Sequence, residues 1–172
     1  MPSSRRLISS QVLGTSAASV TFSSIPSGYT DLVLRASIRT TAATAFPSDV
    51  WITFNSISSG YSKTTLDALG STPDSSRQSN TSRINLFYGA VSASMTANTF
   101  SNMEIYIPSY SVAQNKPLSA IYATPQNSTS NVADSVNAGL LSNTAAISSV
   151  TLEFSSNFVA GSSFYLYGLL PA

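Results

Sequence analysis

Seven carboxylates are all the acid chemistry this chain carries: Asp31, Asp49, Asp67, Asp74, Glu104, Asp134 and Glu153. A glycoside hydrolase needs only two of them, about 5 to 10 Å apart, one as acid and one as base or nucleophile. Their positions fit backbone capping better. Asp31 follows Gly28-Tyr29-Thr30, Asp49 precedes a strand pattern, and Asp67 and Asp74 fall in a polar stretch, all places where a carboxylate accepts from main-chain N–H groups. Glu104 and Glu153 lie inside strand patterns, where Arg35, Arg39 or Arg83 are the expected cross-strand partners. The absence of His and Cys removes Ser-His-Asp and Cys-His catalysis, Cys/His zinc sites, thiolate chemistry and disulfides. The eight Gly are scattered rather than gathered in a phosphate-cradling loop, and no spacing of acids matches a calcium loop. The expectation is a protein that is not an enzyme and takes no metal or cofactor.

Length and charge narrow the class further. A chain of 172 residues is one domain long. Eight Lys plus Arg against seven Asp plus Glu leave a net charge of +1, too few cations to cluster on a phosphate backbone, so no nucleic-acid partner is expected. Arg5-Arg6-Leu7-Ile8 starts like a twin-arginine export signal, but Ser9, Ser10 and Gln11 interrupt the apolar run that must follow. No later stretch approaches the roughly 18 apolar residues that cross a bilayer as a helix, so no membrane partner is expected either. Thirty-six Ser and seventeen Thr accompany 42% hydrophobic residues, enough to build a core. A surface so rich in Ser and poor in charge is poorly soluble alone, which points to coverage by neighbouring subunits.

Period-two alternation dominates the chain. The clearest strand runs from Asp31 to Thr40, with Leu32, Leu34, Ala36 and Ile38 on one face. Similar patterns mark Arg6 to Leu13, Ser19 to Ser23, Val50 to Ile57, Ile84 to Ser92 and Thr99 to Pro108. Others surround Leu118-Ala120-Tyr122 and Val150-Leu152-Phe154, and the last covers Ser163 to Leu170. Asn131 to Leu141 reads as a loop or short strand. Between Ser58 and Arg83 the pattern dissolves into polar residues, predicting a long surface loop of the kind that is functional or covered by a partner. These eight to ten strands without a convincing helix predict an all-β, antiparallel β-sandwich of jelly-roll type. Residues 1–11 form an extended N-terminal arm or first strand, and residues 12–172 a single sandwich domain.

Aromatics are the one group in good supply, with eight Tyr, eight Phe and Trp51. Trp51 and Asn55, placed on one strand face by their spacing, make a candidate sugar platform of flat ring and hydrogen-bonding amide. The competing reading puts Trp51 in the core or in a subunit interface, where Tyr, Phe and Arg are also favoured.

Several strings spread along the chain resemble those of small virion structural proteins of tailed bacteriophages. They are Phe22-Ser23-Ser24-Ile25-Pro26-Ser27-Gly28-Tyr29-Thr30-Asp31-Leu32, then Phe54-Asn55 with Gly60-Tyr61-Ser62, then Glu104-Ile105-Tyr106-Ile107-Pro108-Ser109-Tyr110 with Lys116, and finally Phe164-Tyr165-Leu166-Tyr167-Gly168. The group includes head decoration or cement proteins and tail-fibre domains. The resemblance implies a β-sandwich of the virion, assembled in the bacterial host cytoplasm and bound outside the head to the major capsid protein. It also implies self-association as a homo-oligomer such as a trimer. The alternative it leaves is a tail-fibre or receptor-binding module, to which the sugar platform would belong. For the capsid reading the expected interface residues are Arg5, Arg6 and Leu7 in the arm, with Tyr61, Lys63 and Arg77 in the loop.

Overall fold

The computed structural model describes residues 5–127 and 131–170. Twelve strands and no helix occupy the described residues. They are β1 (Arg5–Val12), β2 (Ala17–Phe22), β3 (Asp31–Ser37), β4 (Ser48–Phe54), β5 (Tyr61–Leu69) and β6 (Thr72–Thr81), followed by β7 (Ile84–Ala90), β8 (Asn102–Ile107), β9 (Lys116–Thr124), β10 (Ala133–Leu141), β11 (Val150–Phe158) and β12 (Ser163–Leu169). All strand pairs are antiparallel, in an eight-stranded sheet ordered β1-β12-β3-β8-β9-β10-β5-β6 and a four-stranded sheet ordered β2-β11-β4-β7. The fold is the expected all-β sandwich, with twelve strands instead of eight to ten.

Eight strands alternate between the sheets: β1, β3, β8 and β12 lie in the large one, and β2, β4, β7 and β11 in the small one. The two remaining hairpins, β5–β6 and β9–β10, join each other through the β10–β5 pair and extend the large sheet beyond β8. Between the sheets sit Leu32, Leu34, Val50, Ile52, Phe54, Leu86, Ile105, Leu152, Phe158, Phe164 and Leu166, all buried. Each such side chain is worth about 1.5–3 kcal/mol of transfer from water, which is why the alternating apolar phase sets the register of these strands.

The expected loop at 58–83 is instead the hairpin β5–β6, paired from Tyr61↔Thr81 to Leu69↔Thr72. Its inward phase is Tyr61, Lys63, Thr65 and Asp67, all buried, so a strand face that is polar in sequence carried no hydrophobic alternation to read. Gly70, at φ +62°, makes the turn in a conformation that side-chain-bearing residues adopt at a cost. Within the expected loop or short strand at 131–141, Ala133–Leu141 is the full strand β10, hidden in sequence because Ala133, Ser135, Asn137, Gly139 and Leu141 form its buried phase. Gly139 lets the small sheet come close: a Cβ there would stand 2.7 Å from Ile84 Cδ1 and 3.0 Å from Leu118 Cγ. The N-terminal arm is the edge strand β1, paired with β12; residues 1–4 lie outside the described residues.

Candidate functional site

The acids mostly serve the fold. Asp31 accepts from the Ser109 amide at 2.8 Å and from the Tyr106 hydroxyl at 3.0 Å, pinning the end of β8. Asp49 accepts from the Tyr88 amide and from Asn85 Nδ2, both at 3.1 Å, and holds Tyr88 at φ +60°. Glu104 binds its cross-strand neighbour Arg35 at Nε, 2.7 Å, with Arg5 4.0 Å away, and Glu153 meets Arg83 at 3.5 Å across the intervening strand β4. Arg39 has another role: its guanidinium donates to the carbonyls of Ala93, Met95, Thr96 and Thr99 and organises that loop. Asp67 lies buried in β5 rather than in a loop, and accepts from the Thr65 hydroxyl at 2.9 Å. Among the described residues no three His, Cys, Asp or Glu side chains converge on one point.

Two residues expected at an interface belong to the interior. Tyr61 is fully buried, with its hydroxyl accepting from the Phe54 amide at 2.9 Å and donating to the Ile57 carbonyl at 3.2 Å. Lys63 is only 4% exposed; its ammonium donates to the Asn85 carbonyl at 2.5 Å and stands 3.3 Å from the centre of the Phe87 ring. Burial lowers the Lys63 ammonium to about 8, against the opposing pull of Asp67 and Asp49. Both residues face inward because they share the buried phase of β5. Arg5, Arg6, Leu7 and Arg77 are exposed, the first three on edge strand β1 and the last on edge strand β6.

The sugar platform is not assembled as expected. β4 ends at Phe54, and Asn55 takes φ +52°, turning its side chain away from the strand face that carries Trp51. Its Oδ1 accepts from the amides of Ser148 and Ser149, and its Nδ2 donates to the Ala146 carbonyl, so it clamps the approach to β11. Trp51 has Asn85 as its cross-strand neighbour, and the Arg83 guanidinium lies 3.5 Å from the centre of its ring. Phe154 packs nearby, with ring centres 6.3 Å apart.

A different surface gathers the accessible apolar groups. Eight large hydrophobic side chains are exposed among the described residues, and six of them, Leu7, Val12, Leu66, Ile121, Val136 and Leu140, project from the outer face of the eight-stranded sheet. Their cross-strand partners fix that face: Leu7 lies opposite Tyr167 and Val12 opposite Ser163, on the outward phase of β12. Val136 sits directly between Ile121 and Leu66, so three exposed aliphatic side chains form one unbroken row over β9, β10 and β5. The row continues through Glu104 and Arg35, which lie in register beyond Ile121.

A hollow flanks the row on each side. One, of about 560 Å³, is lined by Arg35, Asn102, Glu104, Ile121, Asp134 and Val136. The other, of about 570 Å³, is lined by Thr64, Arg77, Gln78, Pro117, Ala138 and Leu140. This ridge between two hollows offers dispersion contact, shape and a few polar partners at the rims. Of the expected interface residues, Arg77 lines one of the hollows, whereas Leu7 stands on edge strand β1, four strands from Ile121 on β9. Sequence reading missed Leu66, Ile121, Val136 and Leu140. The available signal was an apolar residue on the wrong phase, such as Ile121 between Ala120 and Tyr122, whose alternation with Leu118 already defines the buried face.

No protein-family model matches the chain, and no curated protein matches it. Among solved structures it aligns with the binding domain of botulinum neurotoxin DC in complex with SialylT, at 14% identity over 95% of this chain and 44% of that one, with a TM-score of 0.25. It also aligns with infectious bursal virus derived T=1 particles, at 12% identity over 98% of this chain and 41% of that one, with a TM-score of 0.16. The chain spans less than half the length of either. Scores this low carry no argument, and the fold rests on its own strand order.

Proposed function

We propose that the chain is a non-enzymatic virion structural protein of a tailed bacteriophage, a decoration or cement protein that binds the outer capsid surface and stabilises the head. The observation that carries this reading is the outer face of the large sheet, where four of the eight exposed large apolar side chains, Leu66, Ile121, Val136 and Leu140, gather on β5, β9 and β10. A face of that kind, rimmed by Arg35, Glu104 and Arg77, has the composition of a surface that a partner covers. The partner is the major capsid protein. The strand order β1-β12-β3-β8 over β2-β11-β4-β7 supports the jelly-roll reading, an architecture used by viral capsid and lectin domains alike, so the face and not the fold favours assembly.

Cosedimentation with heads of the encoding phage tests the proposal, with antibody labelling of native virions beside it. Wild-type protein binds heads, and Val136→Glu with Ile121→Glu abolishes binding while the free protein melts as before, since both side chains are exposed. Label at the tail or fibre would transfer the reading to a receptor-binding or carbohydrate-binding module. In that case Trp51 with Asn85 and Arg83, rather than Asn55, is the surface to probe, by Trp51→Ala on a glycan array. Absence of label from the particle would remove the virion assignment.

A further inference from the structure

The four edges of the two sheets are treated unequally. Edge strand β7 packs over β5, β9 and β10, and Lys63 occupies its Asn85 carbonyl. Edge strand β1 opens with Arg5 and Arg6 and breaks register between Leu7 and Ser9. Edge strand β6 carries Pro73, Asp74 and Arg77, and its pairing with β5 shifts between Tyr61 and Lys63. Charge, proline, bulges and coverage are the devices that stop a sheet edge from accepting another strand.

Edge strand β2 has none of them. Its sequence, Ala17-Ala18-Ser19-Val20-Thr21-Phe22, contains no charge, no Pro and no Gly. Ser19 to Phe22 pair with Val150 to Glu153 in unbroken register, and the irregularity that follows places its extra residues on β11. Among the described residues, no main-chain hydrogen bond involves Ala17–Phe22 other than those to β11, so the opposite edge of β2 presents its N–H and C=O groups to an incoming strand. Ala18, Ser19 and Thr21 are exposed, while Val20 and Phe22 complete the core.

We infer that β2 pairs antiparallel with β2 of a second copy of this chain, about a two-fold axis perpendicular to the sheet, joining two four-stranded sheets into one of eight. The occupant follows from the strand itself. An incoming strand must match both the neutral edge and the alternation of Val20 and Phe22 against Ser19 and Thr21. A two-fold operation supplies that match automatically, because each face of the sheet continues into the same face of its mate. The pairing satisfies both open edges at once and closes at two copies, in contrast to the trimer that the resemblance implied. It is independent of the capsid reading, which uses the opposite sheet.

Sedimentation equilibrium of the full chain across a wide concentration range tests the inference. The expected result is a concentration-dependent species of twice 18.0 kDa. Ser19→Lys with Thr21→Lys places like charges across the junction when the two strands pair about residues 19 to 21, and returns the protein to 18.0 kDa with an unchanged β-sheet circular dichroism spectrum and a melting temperature that no longer depends on concentration. Hydrogen exchange gives a second readout, in which amides of residues 17–22 gain protection as wild-type concentration rises. A wild-type chain that stays monomeric throughout, or a dimer that survives the double substitution, overturns the inference. So does a dimer abolished by Val136→Glu instead, which would locate self-association on the large sheet. Head binding by the monomeric double variant keeps this result separate from the proposed function.

Discussion

The ammonium of Lys63 on β5 lies 2.5 Å from the main-chain oxygen of Asn85 on β7, tying an inner strand of the large sheet to the edge of the small one. This single side chain does what a neighbouring strand would otherwise do. It satisfies a carbonyl that faces no partner strand, and its charge rests on the Phe87 ring, while its stem is buried between the sheets.

Lys63→Ala should therefore destabilise the fold by about 1–3 kcal/mol, the cost of leaving a buried carbonyl without a donor. Urea denaturation measures it. Lys63→Met keeps the buried stem and isolates the lost donor, so it should fall between wild type and Lys63→Ala. Equal stability of all three proteins would show that the contact contributes nothing.

The same residue sets a pH dependence. Its folded value of about 8 lies below the ordinary 10.5, so the unfolded chain holds the extra proton between those values and stability rises with pH across that window. Tyr122 has the opposite sign, because burial raises its phenol above 10.0; its contribution is intact below pH 10 and is lost at higher pH. Thermal melts should improve from about pH 8 to about pH 10 and decline beyond. In Lys63→Met the rise shrinks to the part left by Lys116, whose ammonium burial also lowers, and the decline remains. A rise of undiminished size in that variant would remove the role assigned to Lys63.

Gly168 on β12 lies beneath the ring of Tyr29, where an added Cβ would stand 2.3 Å from the ring Cγ. Gly168→Ala should cost about 1–3 kcal/mol through overpacking. Tyr29→Ala in the same chain frees the space, so the double variant should be more stable than the sum of its single losses predicts. Strict additivity of the two changes would mean that the ring moves aside at no cost.

Arg39 reaches four carbonyls within 2.7 to 3.1 Å, a fan that a single ammonium does not reproduce. Arg39→Lys should lose about 1–3 kcal/mol and open the loop at residues 93–99. Hydrogen exchange of the amides there should accelerate while those of β3 stay protected. Unchanged exchange in that loop would remove the role assigned to Arg39.

The Glu104–Arg35 pair is a contrasting case. The two side chains are 42% and 52% exposed despite a 2.7 Å contact. Glu104→Gln should change stability by less than about 1 kcal/mol, and less still in high salt. A larger loss in urea denaturation would mean that the row on the sheet face depends on this pair.

Strands whose buried phase is apolar were legible from sequence. Leu32, Leu34 and Ala36 in β3, Val50, Ile52 and Phe54 in β4, and Phe164 and Leu166 in β12 alternate plainly because one face is driven from water. β5 and β10 were not legible, since Lys63, Thr65, Asp67, Ser135 and Asn137 fill their buried phases. Several of these polar groups have partners there: Asn137 Nδ2 donates to the Tyr122 hydroxyl at 2.9 Å, Thr65 donates to Asp67, and Lys63 has Asn85. The partners of Asn137 and Lys63 come from other strands, and sequence spacing does not reveal them.

The amino-acid sequence by itself determined an all-β sandwich, through period-two alternation, and left a chain with neither His nor Cys to do chemistry. It also offered Arg35, Arg39 and Arg83 as the pool of cations for Glu104 and Glu153; strand pairing chose Arg35 and Arg83 and sent Arg39 to the carbonyls of residues 93–99. Only the tertiary structure decided which face is exposed as a surface. Leu66, Ile121 and Val136 stand up to 70 positions apart in sequence and become one row only when β9, β10 and β5 align. Strand pairing is long-range, and the order of strands depends on which buried polar groups find partners across the sheets. No window of sequence holds that information.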